Sequence, residues 1–298
     1  MDQGLFIAVF AGLGGMLGWG LADFFAKKTI DEVGDVVTLA WAHVFGTAVL
    51  FIALLYQMAT HQQPASTPVD VQTWVLLLFF GTLQAAVYLL VYSGFRKGQV
   101  AVLSPIFSSF SGFTAAISII VLGEIVSGYV FVGLATLFAG ILLINLDLQA
   151  LRSKRINFTR VPGFGQIAGA TALAVVWTLL WDKFVGGKDW LLYTFAMYAF
   201  MTLAILIYAK FCRIKLLVVR PPTWKLLVLI GVCEIIAYLA ISWGYSTTPL
   251  TSVVALLSGA FSLPTIFLAR VFLKEKITPL QVGGGLIIIA GIMILSVL

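Results

Sequence analysis

Two apolar stretches of the chain each contain a polar side chain followed four residues later by a tyrosine. Gln84 precedes Tyr88 in the stretch QAAVY, and Glu234 precedes Tyr238 in the stretch EIIAY, at an offset of 150 residues. Residues four apart lie on the same face of a helix. A carboxyl group at such a position can carry a proton or hold a cation, and aromatic rings beside it can hold an ammonium group through cation–π contacts.

Glu234 is the most informative of these residues because it is an acid inside an apolar run. It lies about halfway along that run, roughly ten residues or 15 Å from either end of a helix. An acid at the centre of a bilayer costs about 2.5–3.5 kcal/mol to insert, so it persists only if it is protonated, paired or open to a water-filled cavity. We predict that Glu234 faces such a cavity with Gln84, Tyr88 and Tyr238. The alternative is an interhelical hydrogen bond that fastens two helices.

Further side chains within apolar runs are candidates for the same cavity. His43 could bind a ligand or relay protons, although a hydrogen bond from a neutral ring to a neighbouring helix explains it equally well. Trp19 and Trp177 occupy similar positions in the two halves of the chain and could line the cavity, unless they lie against lipid or headgroups. Asp23 lies one turn before two lysines, which fits a gate or a local ion pair better than ligand binding.

Two prolines and two glutamates have predicted gating or structural roles. Pro105 and Pro264 lie in serine-rich runs, where a proline removes a backbone hydrogen bond and can act as a hinge or expose carbonyl groups to a ligand. Close helix packing through small hydroxyl residues is the simpler explanation of these runs. Glu124 and Glu275 each end an apolar run, and we expect them to tie short loops to neighbouring helix N-termini.

The composition indicates that the solvent of this chain is lipid. Of its 298 residues, 61% are hydrophobic and only 10% are charged, and the mean hydropathy is +1.08, whereas a soluble domain keeps about 25% charged residues. The net charge of +6 comes from basic residues in short gaps between apolar runs, which indicates membrane anchoring and argues against a nucleic-acid partner. Cys212 and Cys233 lie in or beside apolar runs, so we expect neither a disulfide nor a metal site.

Cutting the sequence at its polar gaps gives ten apolar runs of the ~20 residues that a membrane-spanning helix needs. The least polar gap, around Glu124, separates the fourth run from the fifth. We therefore predict an all-α polytopic membrane protein with ten transmembrane helices. Their expected positions are 4–26, 36–58, 73–94, 100–122, 126–147, 163–184, 190–210, 224–245, 250–272 and 278–298.

The distribution of basic residues predicts the orientation of these spans. Sixteen of the 18 lysines and arginines fall on one side of the membrane, and only Lys183 and Lys188 fall on the other. The positive-inside rule then places the loops near 27–35, 95–99, 148–162, 211–223 and 273–277 in the cytoplasm and both termini outside. We expect an integral protein of a prokaryotic inner (cell) membrane.

The sequence is also self-similar at a separation of about 150 residues. The stretch GEIVSGYVFVGLATLFAGI resembles KEKITPLQVGGGLIIIAGI, and their glutamates, Glu124 and Glu275, are 151 residues apart. We predict two five-helix repeats, residues 1–150 and 151–298. Because five is odd, the second repeat enters the membrane upside down relative to the first. Inverted repeats are typical of secondary transporters, whose substrate site lies at the repeat interface near the midplane.

In these features the chain resembles the EamA family of the drug/metabolite transporter superfamily. The resemblance rests on the five-plus-five arrangement, the Trp-Gly pair in WGLADFFAKK, the glutamates of LGE and LKE, and the G-x₆-G spacing in each repeat. It implies a carrier of small organic solutes, often an exporter of amino acids or related metabolites, that works by alternating access around a central cavity. Family members are usually drawn with cytoplasmic termini, whereas the basic residues here favour external ones.

The sequence therefore predicts a secondary transporter for an amino acid or another amine-bearing metabolite, with Glu234 as the candidate proton-coupling residue. One acid among aromatic rings favours a positive group, and no central lysine or arginine is present for phosphate. An uncoupled facilitator or a channel is the alternative, and an intramembrane enzyme built on His43 plus an acid is a further one, although neither HExxH nor GxSxG occurs in a suitable place. We expect no cofactor, a small-molecule substrate, lipid and protons as partners, and a monomer or homodimer.

Overall fold

The computed structural model describes residues 3–60, 70–97, 100–146, 162–216, 219–274 and 276–296. This part of the chain is helical and contains no strands, as expected of apolar runs that must satisfy their backbone hydrogen bonds internally in lipid. The helices are α1 (Gln3–Val33), α2 (Asp35–Ala59), α3 (Val71–Lys97), α4 (Val100–Ser108), α5 (Phe110–Ile120), α6 (Gly128–Asn145), α7 (Phe164–Val185), α8 (Trp190–Phe211), α9 (Pro221–Thr247), α10 (Thr251–Gly259), α11 (Ser262–Phe272) and α12 (Pro279–Ser296).

Nine segments of the described chain are long and apolar enough to cross a membrane. They correspond to nine of the ten predicted spans, with α10 and α11 forming one span, Thr251–Phe272. The remaining predicted span, residues 100–122, consists of two shorter helices, α4 and α5. The predicted all-helical membrane architecture is therefore confirmed, and the fourth and ninth spans differ from the prediction in being broken helices.

Both serine-rich runs are broken, and the breaks fall at corresponding positions in the two halves of the chain. The first lies between α4 and α5, and the second between α10 and α11. Pro264 occupies the first turn of α11, where a helix needs no N–H from that residue, so it begins a half-helix and does not kink a continuous one. Pro105 lies inside α4, three residues before its end. A hinge role for either proline stays a prediction.

Helix α1 is longer than the sequence predicts. The predicted span ends at residue 26, but α1 continues for about two more turns and stops at Gly34, whose φ of 87° lies outside the helical region. The extra turns contain Lys27 and Lys28, both exposed. In the same turns, Glu32 accepts a hydrogen bond of 2.6 Å from Thr223 at the start of α9. The polar gap therefore marks the expected edge of the membrane and not the end of the helix.

The helix termini gather at two ends of the bundle. We use the name basic end for the end at which α1 finishes and α9 begins, which carries most of the lysines and arginines of the described chain. There the Trp41 indole of α2 donates a hydrogen bond of 2.8 Å to the Leu216 carbonyl oxygen. At the opposite end, the Gly187 N–H donates a hydrogen bond of 3.1 Å to the Ser246 carbonyl oxygen. That the basic end faces the cytoplasm stays a prediction.

Helices from the two predicted repeats pack against each other. α1 packs on α9 and α10, α2 on α8 and α9, and α3 on α7 and α8, while α6 packs on α12. α1 approaches α9 closely at Gly18, where a Cβ atom would lie 2.7 Å from the Cys233 carbonyl oxygen. It approaches α11 equally closely at Gly20, where a Cβ atom would lie 2.7 Å from the Phe261 carbonyl oxygen. The core of the bundle therefore lies at the interface between the repeats.

Replacing Gly18 with valine should destabilise the protein by about 1–3 kcal/mol, because the added atoms meet the backbone of α9 and not a flexible side chain. The thermal unfolding midpoint of the detergent-solubilised protein measures this effect. Gly283→Ala in α12 is the matched control, since a Cβ at Gly283 meets nothing within 4 Å and alanine favours a helix over glycine. Equal midpoints for the two variants would contradict the close packing of α1 on α9.

Candidate functional site

Eight polar or aromatic side chains from six helices meet between the repeats, and we name them the central cluster. Seven are the predicted substrate-binding residues, and the eighth is Tyr198, which the sequence analysis missed. The members are Trp19 on α1, His43 on α2, Gln84 and Tyr88 on α3, Trp177 on α7, Tyr198 on α8, and Glu234 and Tyr238 on α9. The structure therefore brings together all seven, while their binding role stays a prediction.

Glu234 is buried within the central cluster, with only 5% of its surface exposed. The Tyr198 hydroxyl donates a hydrogen bond of 2.8 Å to its carboxylate oxygen Oε2. His43 Nε2 lies 3.7 Å from the same oxygen, and the His43 ring stacks on the Tyr198 ring with 5.0 Å between centroids. A carboxylate can accept about four hydrogen bonds. The described residues donate one to Glu234, so its carboxylate can accept further ones.

Tyr198 belongs to a polar stripe on α8 that is visible in the sequence. Thr194, Tyr198 and Thr202 are spaced four residues apart and therefore share one helical face. All three are buried. The spacing that singled out Glu234 and Tyr238 would have found this stripe too, had it been applied to hydroxyl residues alone.

Gln84 and Glu234 occupy corresponding positions in the repeats, and the structure connects them through tyrosines. Gln84 Nε2 donates a hydrogen bond of 2.9 Å to the Tyr238 hydroxyl, which donates to the Tyr88 hydroxyl at 3.4 Å. The Tyr238 ring meets the Tyr198 ring edge-on, with 5.4 Å between centroids. The cluster is thus one continuous network from Gln84 to Glu234.

The two predicted tryptophans flank Tyr238 and differ in their hydrogen bonding. Their rings lie edge-on to Tyr238, with centroid distances of 5.7 Å for Trp19 and 6.1 Å for Trp177. Trp177 is 2% exposed, and its indole N–H donates to the Phe80 carbonyl oxygen at 3.2 Å. Trp19 is half-buried, and its indole nitrogen has no partner among the described residues. Only Trp19 therefore offers a free donor to a ligand.

Three buried polar atoms of the cluster have no hydrogen-bond partner in the described chain: Trp19 Nε1, His43 Nε2 and Gln84 Oε1. His43 Nδ1 lies 2.8 Å from the Leu39 carbonyl oxygen. Because a carbonyl oxygen only accepts, this contact assigns the ring proton to Nδ1 and leaves Nε2 as an acceptor in the neutral ring. The cluster thus offers one free donor and two free acceptors beside a carboxylate. Buried polar groups are normally paired, so this pattern is typical of a ligand site.

Asp23 extends the polar face of the cluster toward the basic end. It lies on α1 four residues after Trp19, hence on the same face, and its side chain is exposed. Its carboxylate is close enough to Glu234 for the two to interact electrostatically. Tyr92 on α3 interacts with both acids. Asp23 therefore lies between the central cluster and the basic end, where a gate residue would lie, and that role stays a prediction.

Further aromatic rings adjoin the cluster at Trp177, and we name Phe80, Trp177, Trp181 and Phe184 the aromatic layer. Trp177 and Trp181 stack with 5.7 Å between centroids. The centroid of the Phe80 ring lies 5.3 Å from that of Trp181 and 5.1 Å from that of Phe184. Trp181 has no exposed surface. Along α7 and α3 the layer lies on the side of the central cluster that faces the opposite end of the bundle.

Glu124 contacts the N-terminus of a neighbouring helix. Its carboxylate accepts hydrogen bonds from the Ser252 N–H at 3.0 Å and from the Ser252 hydroxyl, in the first turn of α10. The Ser118 hydroxyl of α5 donates to it at 2.5 Å. A carboxylate is favourable at a helix N-terminus because of the helix dipole. Glu275 lies outside the described residues, so its counterpart role stays a prediction.

Comparisons with known proteins agree with this architecture. The model of the EamA-like transporter family matches residues 6–146 and again residues 162–297. Among curated proteins, none matches the sequence. One solved structure, described only as the crystal structure of a protein, superposes over 97% of this chain and 96% of its own length. Its TM-score is 0.75 at 16% sequence identity, which supports the fold alone. These two matches together cover almost the whole chain. The chain therefore belongs to the EamA-like transporter family and is an integral membrane transporter of small solutes.

Proposed function

We propose that the protein is a secondary transporter that carries an amino acid or another small amine-bearing metabolite through the central cluster. The observation that supports this proposal is the environment of Glu234. It is a buried carboxylate in the middle of a membrane-spanning helix, and Tyr198 and His43 lie beside it. Tyr88 and Tyr238 lie close enough to interact with it electrostatically. An acid within a membrane bundle is a functional residue by default.

The free donor and acceptor atoms favour an amine-bearing substrate. An ammonium group has three N–H donors, which Glu234, His43 Nε2 and Gln84 Oε1 can accept, and tyrosine faces add cation–π attraction. The free Trp19 N–H suits a substrate oxygen, such as a carboxylate oxygen of an amino acid. The cluster contains no lysine or arginine among the described residues, which disfavours a phosphate-bearing substrate.

Proton coupling follows from the presence of a single acid in the cluster. The Glu234 carboxylate can hold a proton or pair with an ammonium group. A bound proton lowers the affinity of the carboxylate for the ammonium group, and a bound ammonium group lowers its affinity for a proton. Binding of the amine on one side of the membrane therefore releases the proton there, and release of the amine on the other side lets Glu234 take up a proton. The result is an exchange of amine for protons.

Alternating access would require the two ends of the bundle to open in turn. In this structure the polar face from Glu234 to Asp23 leads toward the basic end, and the buried aromatic layer covers the cluster toward the opposite end. The positive-inside rule places the basic end in the cytoplasm and both termini outside. The half-helices of the broken spans are the elements best suited to bend.

The proposal is tested with the purified protein in liposomes that contain a pH-sensitive dye. Amino acids and simple amines such as phenylethylammonium are added outside, and proton movement is recorded together with solute uptake. We expect a solute-dependent proton flux with the wild type, and its loss in Glu234→Gln because the amide cannot bind a proton.

Glu32→Gln is the matched control, since Glu32 lies at the basic end and an amide oxygen there still accepts from Thr223. Its flux should equal that of the wild type. Solute uptake without proton movement, unchanged in Glu234→Gln, would overturn the coupling role and leave an uncoupled facilitator with its binding residues elsewhere.

A further inference from the structure

A polar cavity of about 350 Å³ lies at the opposite end of the bundle, between the end of α7 and the turn that joins α9 to α10. It is lined in part by Asp182, Lys183, Thr247, Thr248 and Thr251. Cavities that bind small molecules have volumes of about 300–1,000 Å³, so this one suits a small solute. None of these residues belongs to the central cluster.

Asp182 is the buried charge of this cavity, with 7% of its surface exposed. The Thr251 side chain interacts with its carboxylate, but a hydroxyl has only one proton to give and a carboxylate can accept about four hydrogen bonds. Lys183 is exposed, and within the described chain Asp182 forms no ion pair with an N–O distance of 4.0 Å or less. Lys183, which also lines the cavity, interacts with the carboxylate electrostatically, and the carboxylate can still accept hydrogen bonds from a bound cation.

The cavity and the central cluster lie along the same two helices. Tyr245 lines the cavity, interacts electrostatically with Asp182, and follows Glu234 on α9 by about 16 Å. Trp181, next to Asp182 on α7, belongs to the aromatic layer and donates a hydrogen bond of 3.1 Å to Ser242 on α9. Asp182 therefore lies beside the aromatic layer and nearer to the opposite end of the bundle than Glu234 does.

We propose that this cavity is a second binding site for small organic cations, in which the Asp182 carboxylate holds the ammonium group. The inference rests on the proposed function, because it assigns to the second site the class of solute carried by the first. The threonine hydroxyls accept the remaining N–H groups of the ammonium. While the aromatic layer is closed, the central cluster is reached from the basic end and the Asp182 site from the opposite end. Both sites can then be occupied at once.

Titration calorimetry of the full-length protein in detergent, with phenylethylammonium as the probe, tests this inference. The wild type should bind two equivalents. Asp182→Asn keeps the shape of the side chain and removes its charge, so it should lose one equivalent or bind it about 10- to 100-fold more weakly. Glu234→Gln should lose the other equivalent and keep the Asp182-dependent one.

Asp189→Asn is the matched control, because Asp189 is also 7% exposed but caps α8 through its contacts with Leu191 and Leu192. It should bind as the wild type does. Two outcomes would overturn the second site and leave the proposed function intact. Asp182→Asn could still bind two equivalents of phenylethylammonium, or the wild type could bind one equivalent that only Glu234→Gln removes. Loss of binding in Asp182→Asn with no change in Glu234→Gln would instead overturn the central site. Retention of the Glu234-dependent equivalent shows that Asp182→Asn is folded.

Discussion

Replacing Tyr198 with phenylalanine should raise the KM for phenylethylammonium by about 10- to 100-fold. The substitution removes one oxygen atom and with it the only hydrogen bond that the described residues donate to the Glu234 carboxylate. Hydrogen bonds to charged groups contribute about 1.5–3 kcal/mol, and this one also fixes the direction in which the carboxylate points. Because Tyr198 acts through Glu234, we assign it as a positioning residue. Liposome uptake at a series of phenylethylammonium concentrations gives KM and the maximal rate separately.

The control for this prediction lies on the same helix. The Tyr193 hydroxyl is buried and has no hydrogen-bond partner among the described residues, so Tyr193→Phe removes an oxygen atom without removing a bond. Its KM should remain within about twofold of the wild type. A positioning role raises KM in Tyr198→Phe whether or not the unfolding midpoint falls. A fall in midpoint with an unchanged KM would show that Tyr198 only stabilises the fold.

Trp181→Ala should destabilise the protein by about 3–5 kcal/mol, the range found when a buried tryptophan is truncated. Trp181 has no exposed surface, stacks on Trp177, contacts Phe80 edge-on and donates a hydrogen bond to Ser242. The variant also removes one of the two tryptophans of the aromatic layer, so we expect phenylethylammonium to leak through the protein without proton exchange. The unfolding midpoint in detergent and uptake at a clamped, equal pH measure the two effects.

Trp74→Ala is the comparison for Trp181→Ala because Trp74 is 44% exposed and contacts Phe200 at the edge of the bundle. It should lower the midpoint far less and produce no leak. Trp181→Phe, which keeps an aromatic ring in the layer, should restore coupling. A coupled Trp181→Ala variant would show that the layer does not form the barrier.

Repetition made much of the site predictable from the sequence. Gln84 and Glu234 drew attention because the same position is polar in both halves, and a helix places their tyrosines on the same face. The structure brings these four residues together with His43, Trp19 and Trp177. The sequence did not single out Tyr198, because its stripe on α8 consists of hydroxyl residues, which are common in membrane helices as packing groups.

Other features depend on contacts that a helical pattern does not contain. The continuation of α1 beyond residue 26 is stabilised by a tertiary contact, the hydrogen bond between Glu32 and Thr223. The cavity at Asp182 arises where the ends of α7 and α9 meet the start of α10, three segments that are separate in the sequence. Hydropathy places each segment in the membrane but does not show which of its residues face one another.

Helix α1 contacts the break between α10 and α11, and in the proposed carrier this contact would make the speed of transport depend on the size of the bound solute. Thr265 donates a hydrogen bond of 3.0 Å to the Gly20 carbonyl oxygen, and the ring of the preceding residue, Trp19, meets the Phe261 ring in the break at 6.4 Å. In the proposed carrier, a solute that displaces the Trp19 ring would press on Phe261 and could change the angle between the half-helices. Bulky and compact amines of equal affinity should then differ in turnover number. The protein would discriminate between them by the rate of the conformational change and not by the strength of binding.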